Sequence, residues 1–241
     1  MATVTLITGG NKGIGLETAR QLGKLGHEVL IGARDAERGQ HAADGLGKEG
    51  IKARFVQLDV TDAGSIARSA EQVERIYGKL DVLINNAGVL DYAADGAPSK
   101  TSLEVLRRTY ETNVFGLLAV TQAFLPLIRK SQAGRIVNLS SILGSCTEHG
   151  DPNSPIYAMQ MFAYDSSKAA VNMLTVELAQ ELKSTSIKVN AAHPGWVKTD
   201  MGGASAPMEI VDGAKTSVML ATLDASGPSG GYFHMGMHMR W

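Results

Sequence analysis

The chain has 241 residues, 44% of them apolar and 20% charged, with a formal net charge of −1. That size suits one large α/β domain with its own core, so a single domain over residues 1–241 is expected. The near-neutral charge offers no basic field to nucleic acid or anionic lipid, and a lone cysteine, Cys146, excludes an internal disulfide or a multi-cysteine metal site. Such sparing cysteine use fits a reducing compartment, and cytoplasmic is the expectation. Residues 1–7 run straight into a strand-like stretch without a signal-peptide pattern. No apolar run approaches the roughly 18 residues of a membrane-spanning helix, so none is expected.

Short β-branched runs alternate with helical patterns. Residues 4–8 read as the first strand, followed by a Gly-rich turn and a helix over 14–25. Strands at 28–33 and 53–58 each lead into a helix, over 36–48 with Asp35 at its N-cap and over 63–77 with Thr61 and Asp62 there. A fourth strand, 82–85, precedes a helix that Asn113 opens and that runs to 130. Then come a strand at 135–139, a helix over 166–182, a strand at 188–191 and a weaker seventh near 231–234. Several strands are apolar throughout, as parallel strands buried on both faces are. The alternation predicts a Rossmann-type α/β fold, a doubly wound parallel sheet of about seven strands with helices on both faces. Residues 144–162, polar and Pro-containing, read as an insertion loop. The small, Gly-rich segment 199–208 reads as a substrate lid.

The first strand runs into Thr8-Gly9-Gly10-Asn11-Lys12-Gly13-Ile14-Gly15, and a helix follows at once. Gly9, Gly13 and Gly15 permit a tight turn and let the backbone approach a pyrophosphate at the helix N-terminus. In that strand-before, helix-after setting, Thr-Gly-x-x-x-Gly-x-Gly resembles the fingerprint of the short-chain dehydrogenases/reductases. Further matches follow in the family's order. Asn85-Asn86-Ala87-Gly88 resembles its second motif, and Asp59-Val60 the pair set against the adenine. Pro194-Gly195-Trp196-Val197-Lys198-Thr199 is similar to the segment that holds the nicotinamide carboxamide. The resemblance implies a dinucleotide held by Gly9, Asn11, Lys12, Gly13, Ile14, Gly15, Asp59, Val60, Asn86, Ala87, Gly88, Pro194, Gly195, Val197 and Thr199. Charge selects which one. The second strand ends Ala33-Arg34 with no acid for a ribose 2′-hydroxyl, so Arg34 and Lys12 are expected to take a 2′-phosphate, and the cofactor is NADP(H).

Tyr164-Asp165-Ser166-Ser167-Lys168 puts a phenol and an ammonium one helical turn apart on one face. Tyr157 lacks such a partner, because Met161 stands four residues later. Similarity to the family's Tyr-x-x-x-Lys implies that Tyr164 is the proton donor and that Lys168 lowers its pKa and binds the nicotinamide ribose. It also implies that Ser141, rather than Ser140, polarises the substrate oxygen, and that Asn113 anchors a water-linked proton relay. The implied reaction is reduction of a carbonyl to an alcohol by direct hydride transfer, without a metal. Two alternatives stay open: an alcohol dehydrogenase running oxidatively, and a protein that binds NADP(H) without turnover.

The stretch between Ser141 and Tyr164 is longer than the family norm, and with the Pro-Gly-Trp segment it is most similar to carbonyl reductases. A small carbonyl substrate is expected, against a pocket of Leu143, Cys146, Trp196 and Met201. Cys146 reads more readily as a small buried hydrophobe than as a reactive thiol, and His193 as a satisfied core histidine rather than a catalyst. Apolar residues surround the helices over 113–130 and 166–182 rather than striping them, so a second burial surface, and hence a homo-oligomer, is expected.

Overall fold

The computed structural model describes residues 2–241. Its strands are β1 (Val4–Thr8), β2 (Glu28–Ala33), β3 (Ala53–Gln57), β4 (Val82–Asn85), β5 (Arg135–Leu139), β6 (Lys188–Ala192), β7 (Tyr232–His234) and β8 (Met237–His238). They form one sheet in the order β3-β2-β1-β4-β5-β6-β7-β8, parallel except for β8, which turns back on β7. That eighth strand is an addition to the sequence reading. It follows a tight turn through Gly236, whose φ of 83° suits glycine.

Side-chain alternation builds the two apolar layers. Val4 and Leu6 of β1 join Leu30, Leu83 and Ile136 on one face, under Phe124 and Leu127. Ile7 joins Val29, Ile31 and Val137 on the other, under Ala19, Leu22 and Leu46. The helices on that second face include α1 (Gly13–Lys24) and α2 (Ala36–Lys48), whose buried residues recur at three- and four-residue spacing, and a later helix that adds Leu220 and Ala221. Asp35 caps α2 through Arg38 N at 3.0 Å. Asp62 caps α3 (Ala63–Tyr77) through Gly64 N at 2.7 Å and Ser65 N at 3.1 Å.

The largest departure from expectation follows β4. Helix α4 (Leu103–Tyr110) runs through a π-helical turn (Glu111–Gly116) into α5 (Leu117–Ile128) without a break. Asn113 therefore sits inside a helix rather than opening one. The run Leu103–Ile128 is long and apolar enough, by length and composition alone, to pass as a membrane span, a property it shares with core helices; 44% of its most apolar stretch is buried in the fold. Within the insertion lies a short helix, α6 (Cys146–Gly150). Helix α7 begins a turn earlier than expected, spanning Phe162–Glu181, and α8 (Ile210–Gly213) and α9 (Lys215–Ala221) follow β6.

Candidate active site

Strand order reverses between β1 and β4, and at such a switch point the loops leaving the strand ends part to make a crevice. A cleft of about 940 Å³ opens there. Its floor is the glycine turn, braced from β4: Asn86 Nδ2 donates to Thr8 O at 2.8 Å and Gly9 O at 3.1 Å. Thr8 Oγ1 in turn accepts from the backbone of Asn86 and Ala87, each at 3.0 Å. A Cβ on Gly15 would lie 2.5 Å from Asn86 Nδ2, so only glycine lets the turn close. Gly9 and Gly13 hold φ of 62° and 55°. Helix α1 starts here with no side-chain cap and no acid in its first turn, which leaves its positive end to an anion.

Of the residues expected to hold the cofactor, all but Gly195 and Val197 line this cleft. Gly195 and Val197 precede the 199–208 segment, and a bridge from Val197 to Met208 pinches its ends together. Arg34 lies exposed on the cleft wall and, among the described residues, makes no ion pair. Lys12 instead meets Asp200 of the 199–208 segment at 2.6 Å, and this holds the Asp200 carboxyl below the usual carboxylate range. Nothing in the sequence flags that contact. A carboxylate of Asp59 accepts from Thr61 N at 2.9 Å and Thr61 Oγ1 at 2.8 Å, which fixes the turn after β3.

Tyr164 and Lys168 project from the buried face of α7, 8% and 5% exposed, to the other end of the cleft. Lys168 Nζ donates to Leu139 O at 2.8 Å and stands 5.5 Å from the Tyr164 ring centroid. Burial brings Lys168 down to about 8. Burial also drives the Tyr164 phenol well above its ordinary value, aided by Tyr92 and Asp165, with Ser141 pulling the other way. The lowering expected from Lys168 does not figure among these influences; the one opposing pull comes from Ser141. Tyr164 therefore holds its proton at neutral pH.

The two serines divide their work. Ser140 Oγ lies 2.5 Å from Asn172 Oδ1, whose amide nitrogen reaches Gly144 O at 3.1 Å, so Ser140 ties β5 to α7. Ser141 Oγ accepts from Leu143 N at 3.3 Å and its hydroxyl faces the Tyr164 phenol, whereas Ser140, not Ser141, is among the residues lining the cleft. Asn113 spends its side chain on structure: it exchanges bonds with the backbone of Val89 at 2.8 and 3.0 Å and donates to Ser167 Oγ at 3.0 Å. A Cβ on Gly88 would lie 3.4 Å from Asn113 Oδ1 and 3.6 Å from Lys168 Nζ, so three sequence motifs meet at this one point. A buried polar ladder, invisible to periodicity, sets the helices. Asn85 Nδ2 donates to Thr121 Oγ1 at 3.0 Å and Asn138 Oδ1 at 2.9 Å, and Asn138 Nδ2 to Thr175 Oγ1 at 2.9 Å.

The expected substrate pocket divides. Met201 lines the main cleft, whereas Leu143 and Cys146 line a second cavity of about 470 Å³ between the insertion and the outer face of α7, and Cys146 is exposed rather than buried. Trp196 lines neither; it is 54% exposed and donates its indole N–H to Gly202 O at 2.8 Å. Val89, Leu90, Thr112 and Ile210 line the cleft without having been signalled by any motif.

The chain is 37% identical to human carbonyl reductase (NADPH) 1, with 94% of each covered. Among solved structures it superposes on NADPH-bound carbonyl reductase from chicken fatty liver with a TM-score of 0.87 at 32% identity, covering 100% of this chain and 99% of that one. It superposes on salutaridine reductase from Papaver somniferum with a TM-score of 0.82 at 29% identity, covering 96% and 99%. The profile described as short chain dehydrogenase matches residues 3–210, from the first strand to the cleft's last lining residue. With the glycine turn, the β4 brace and the Tyr164–Lys168 face all inside that span, the chain belongs to the short-chain dehydrogenase family.

Proposed function

We propose that this chain is an NADP(H)-dependent oxidoreductase that reduces a ketone or aldehyde to an alcohol, with Tyr164 as the proton donor. The observation that carries the reading is the single cleft, with Arg34 and Lys12 at one end and the buried Tyr164–Lys168 pair at the other. The residues present fit the cofactor. Lys12 and Arg34 would take the 2′-phosphate, the uncapped start of α1 the pyrophosphate, Asp59 and Val60 the adenine, and Lys168 the ribose beside the nicotinamide. When bound, NADPH supplies hydride to the carbonyl carbon.

The chain's own groups do the rest. Ser141, whose hydroxyl faces the Tyr164 phenol, hydrogen-bonds the substrate oxygen and orients it without transferring a proton. Tyr164 gives that oxygen its proton, and the Lys168 ammonium faces the phenolate left behind. Any water relay at Asn113 runs through its main chain, because its side-chain atoms are taken. Met201 and the lid edge bound the substrate in the cleft.

NADPH consumption against aryl ketones, diketones, quinones and terpenoid ketones tests the reading. Turnover of at least one carbonyl is expected. Turnover only of alcohols with NADP, or tight NADP(H) binding without any turnover, overturns it.

The same reading includes a two-fold homo-oligomer. Phe115, Leu118 and Met173, 54%, 38% and 60% exposed, leave apolar surface on the π-turn, α5 and α7. The insertion leaves these side chains uncovered: along α7 it borders a cavity lined by Phe162, Asp165, Ser166 and Ala169 and bonds Asn172 through Gly144 O. Light scattering at micromolar concentration should give a mass of two or four chains; a mass of one chain refutes this part.

A further inference from the structure

Helix α7 carries Tyr164 in its first turn, yet its own N-cap residue, Met161, offers no side-chain acceptor. The first N–H groups of a helix need partners, and a loose first turn would let the phenol wander. Their partners come from a distant segment between β4 and α4. Phe162 N donates to Gly96 O at 2.9 Å. Ala163 N donates to Asp95 Oδ1 at 3.0 Å, and Tyr164's own N–H to Asp95 Oδ2 at 2.9 Å. The carboxylate is itself set in place, since Oδ1 also accepts from Gly96 N at 2.8 Å and Thr101 Oγ1 at 3.1 Å. Both oxygens are thus committed in a fixed plane, and the negative charge faces the positive end of a 20-residue helix.

We propose that Asp95 is a positioning residue for the proton donor: a cap supplied from a remote loop that fixes the main chain of Tyr164 and thereby aims its hydroxyl at the substrate oxygen. This rests on Tyr164 being the proton donor. Proton transfer tolerates little misplacement, and an error of about 1 Å is worth on the order of a hundredfold in rate. Because Val89 and Leu90, just upstream of Asp95, line the cleft, the cap also couples the substrate wall to the donor.

Asp95→Ala and Asp95→Asn are compared with the parent at a temperature well below unfolding. For Asp95→Ala the expectation is a fall in kcat of about 10–100-fold, with the NADPH Kd unchanged and a larger solvent deuterium isotope effect on kcat. Asp95→Asn keeps one acceptor oxygen and should recover part of the loss. It also serves if the alanine variant fails to fold. Amide exchange at Ala163 and Tyr164, followed by NMR, should accelerate in both variants, whatever the reaction. Faster exchange with an unchanged kcat and isotope effect overturns the proposal and leaves Asp95 a helix cap only. Unchanged exchange overturns the cap itself. If the parent reduces no carbonyl, the proposed function fails, and the exchange measurement still decides the cap.

Discussion

Replacing Lys168 by methionine removes a buried charge at nearly constant volume and exposes how strongly the fold strains that group. In the folded chain the ammonium ionises at about 8 rather than 10.5, with burial the cause. At about 1.4 kcal/mol per tenfold change in ionisation, this penalises the folded state by roughly 3 kcal/mol wherever Lys168 is protonated in both states. The sign follows from proton counts. Below pH 8 both states hold the proton and the full penalty applies. Between about 8 and 10.5 the unfolded chain holds it and the folded chain does not, so stability rises with pH. Lys168→Met lacks the penalty at every pH but strands the Leu139 carbonyl, at a pH-independent loss of about 1–3 kcal/mol. Urea unfolding of parent and variant at intervals from pH 7 to 10.5 reads the difference. The variant's relative stability should fall by roughly 3 kcal/mol across that range, while its reductase activity is lost throughout. A stability difference that stays flat with pH would refute the claim that burial strains Lys168.

Other consequences are simpler to read. Tyr164→Phe keeps the ring and removes the donor, so kcat for a reducible carbonyl should drop by about 10²–10⁴ with NADPH binding intact, as fluorescence titration would report. Arg34→Ala should weaken NADPH by about ten- to a hundredfold and leave NADH nearly untouched; equal losses for both cofactors argue against a 2′-phosphate contact. Asp200→Asn releases Lys12 from its ion pair, and isothermal titration should find NADPH bound more tightly, with no change for NADH.

How far the sequence could be read depended on where each partner lay. Strands β1, β2 and β4 declare themselves because an apolar run buried on both faces is a local property, whereas β3, Ala53–Gln57, is a half-exposed edge strand. The glycine turn is legible for the same reason, since Gly9 and Gly13 need positive φ in their own backbone. By contrast, α7 begins at Phe162 without any local cap, because its cap comes from Asp95, and no periodicity or N-cap rule reaches that far. The helix ahead of Asn113 did carry signals: Ser102 accepts from Val105 N at 3.2 Å, and Arg107 and Arg108 fill the last turn. What hid it was the π-turn, which has no residue signature of its own and made Asn113 look like a helix start. The place of Trp196 beside Pro194-Gly195 points to the pocket in sequence, but a bulky side chain there can equally bond outward, as its indole does to Gly202.

Burial acts on the Tyr164–Lys168 pair in a way that bears on the direction of reaction. It raises the phenol and lowers the ammonium, pushing each toward its neutral form. At pH 7 the phenol is then a secure acid, while Lys168, ionising at about 8, still carries its charge. A donor that holds its proton beside a cation that can face the resulting phenolate is the starting state a carbonyl reduction requires. An oxidation needs the opposite start, with Tyr164 already deprotonated in a dry pocket, and desolvation opposes that until the pH is high. Above pH 8 the two effects part: Lys168 loses its charge before Tyr164 loses its proton, so nothing compensates the phenolate. With Tyr164 as the proposed donor, reduction should therefore fade with an apparent ionisation near 8, set by the lysine rather than by the tyrosine.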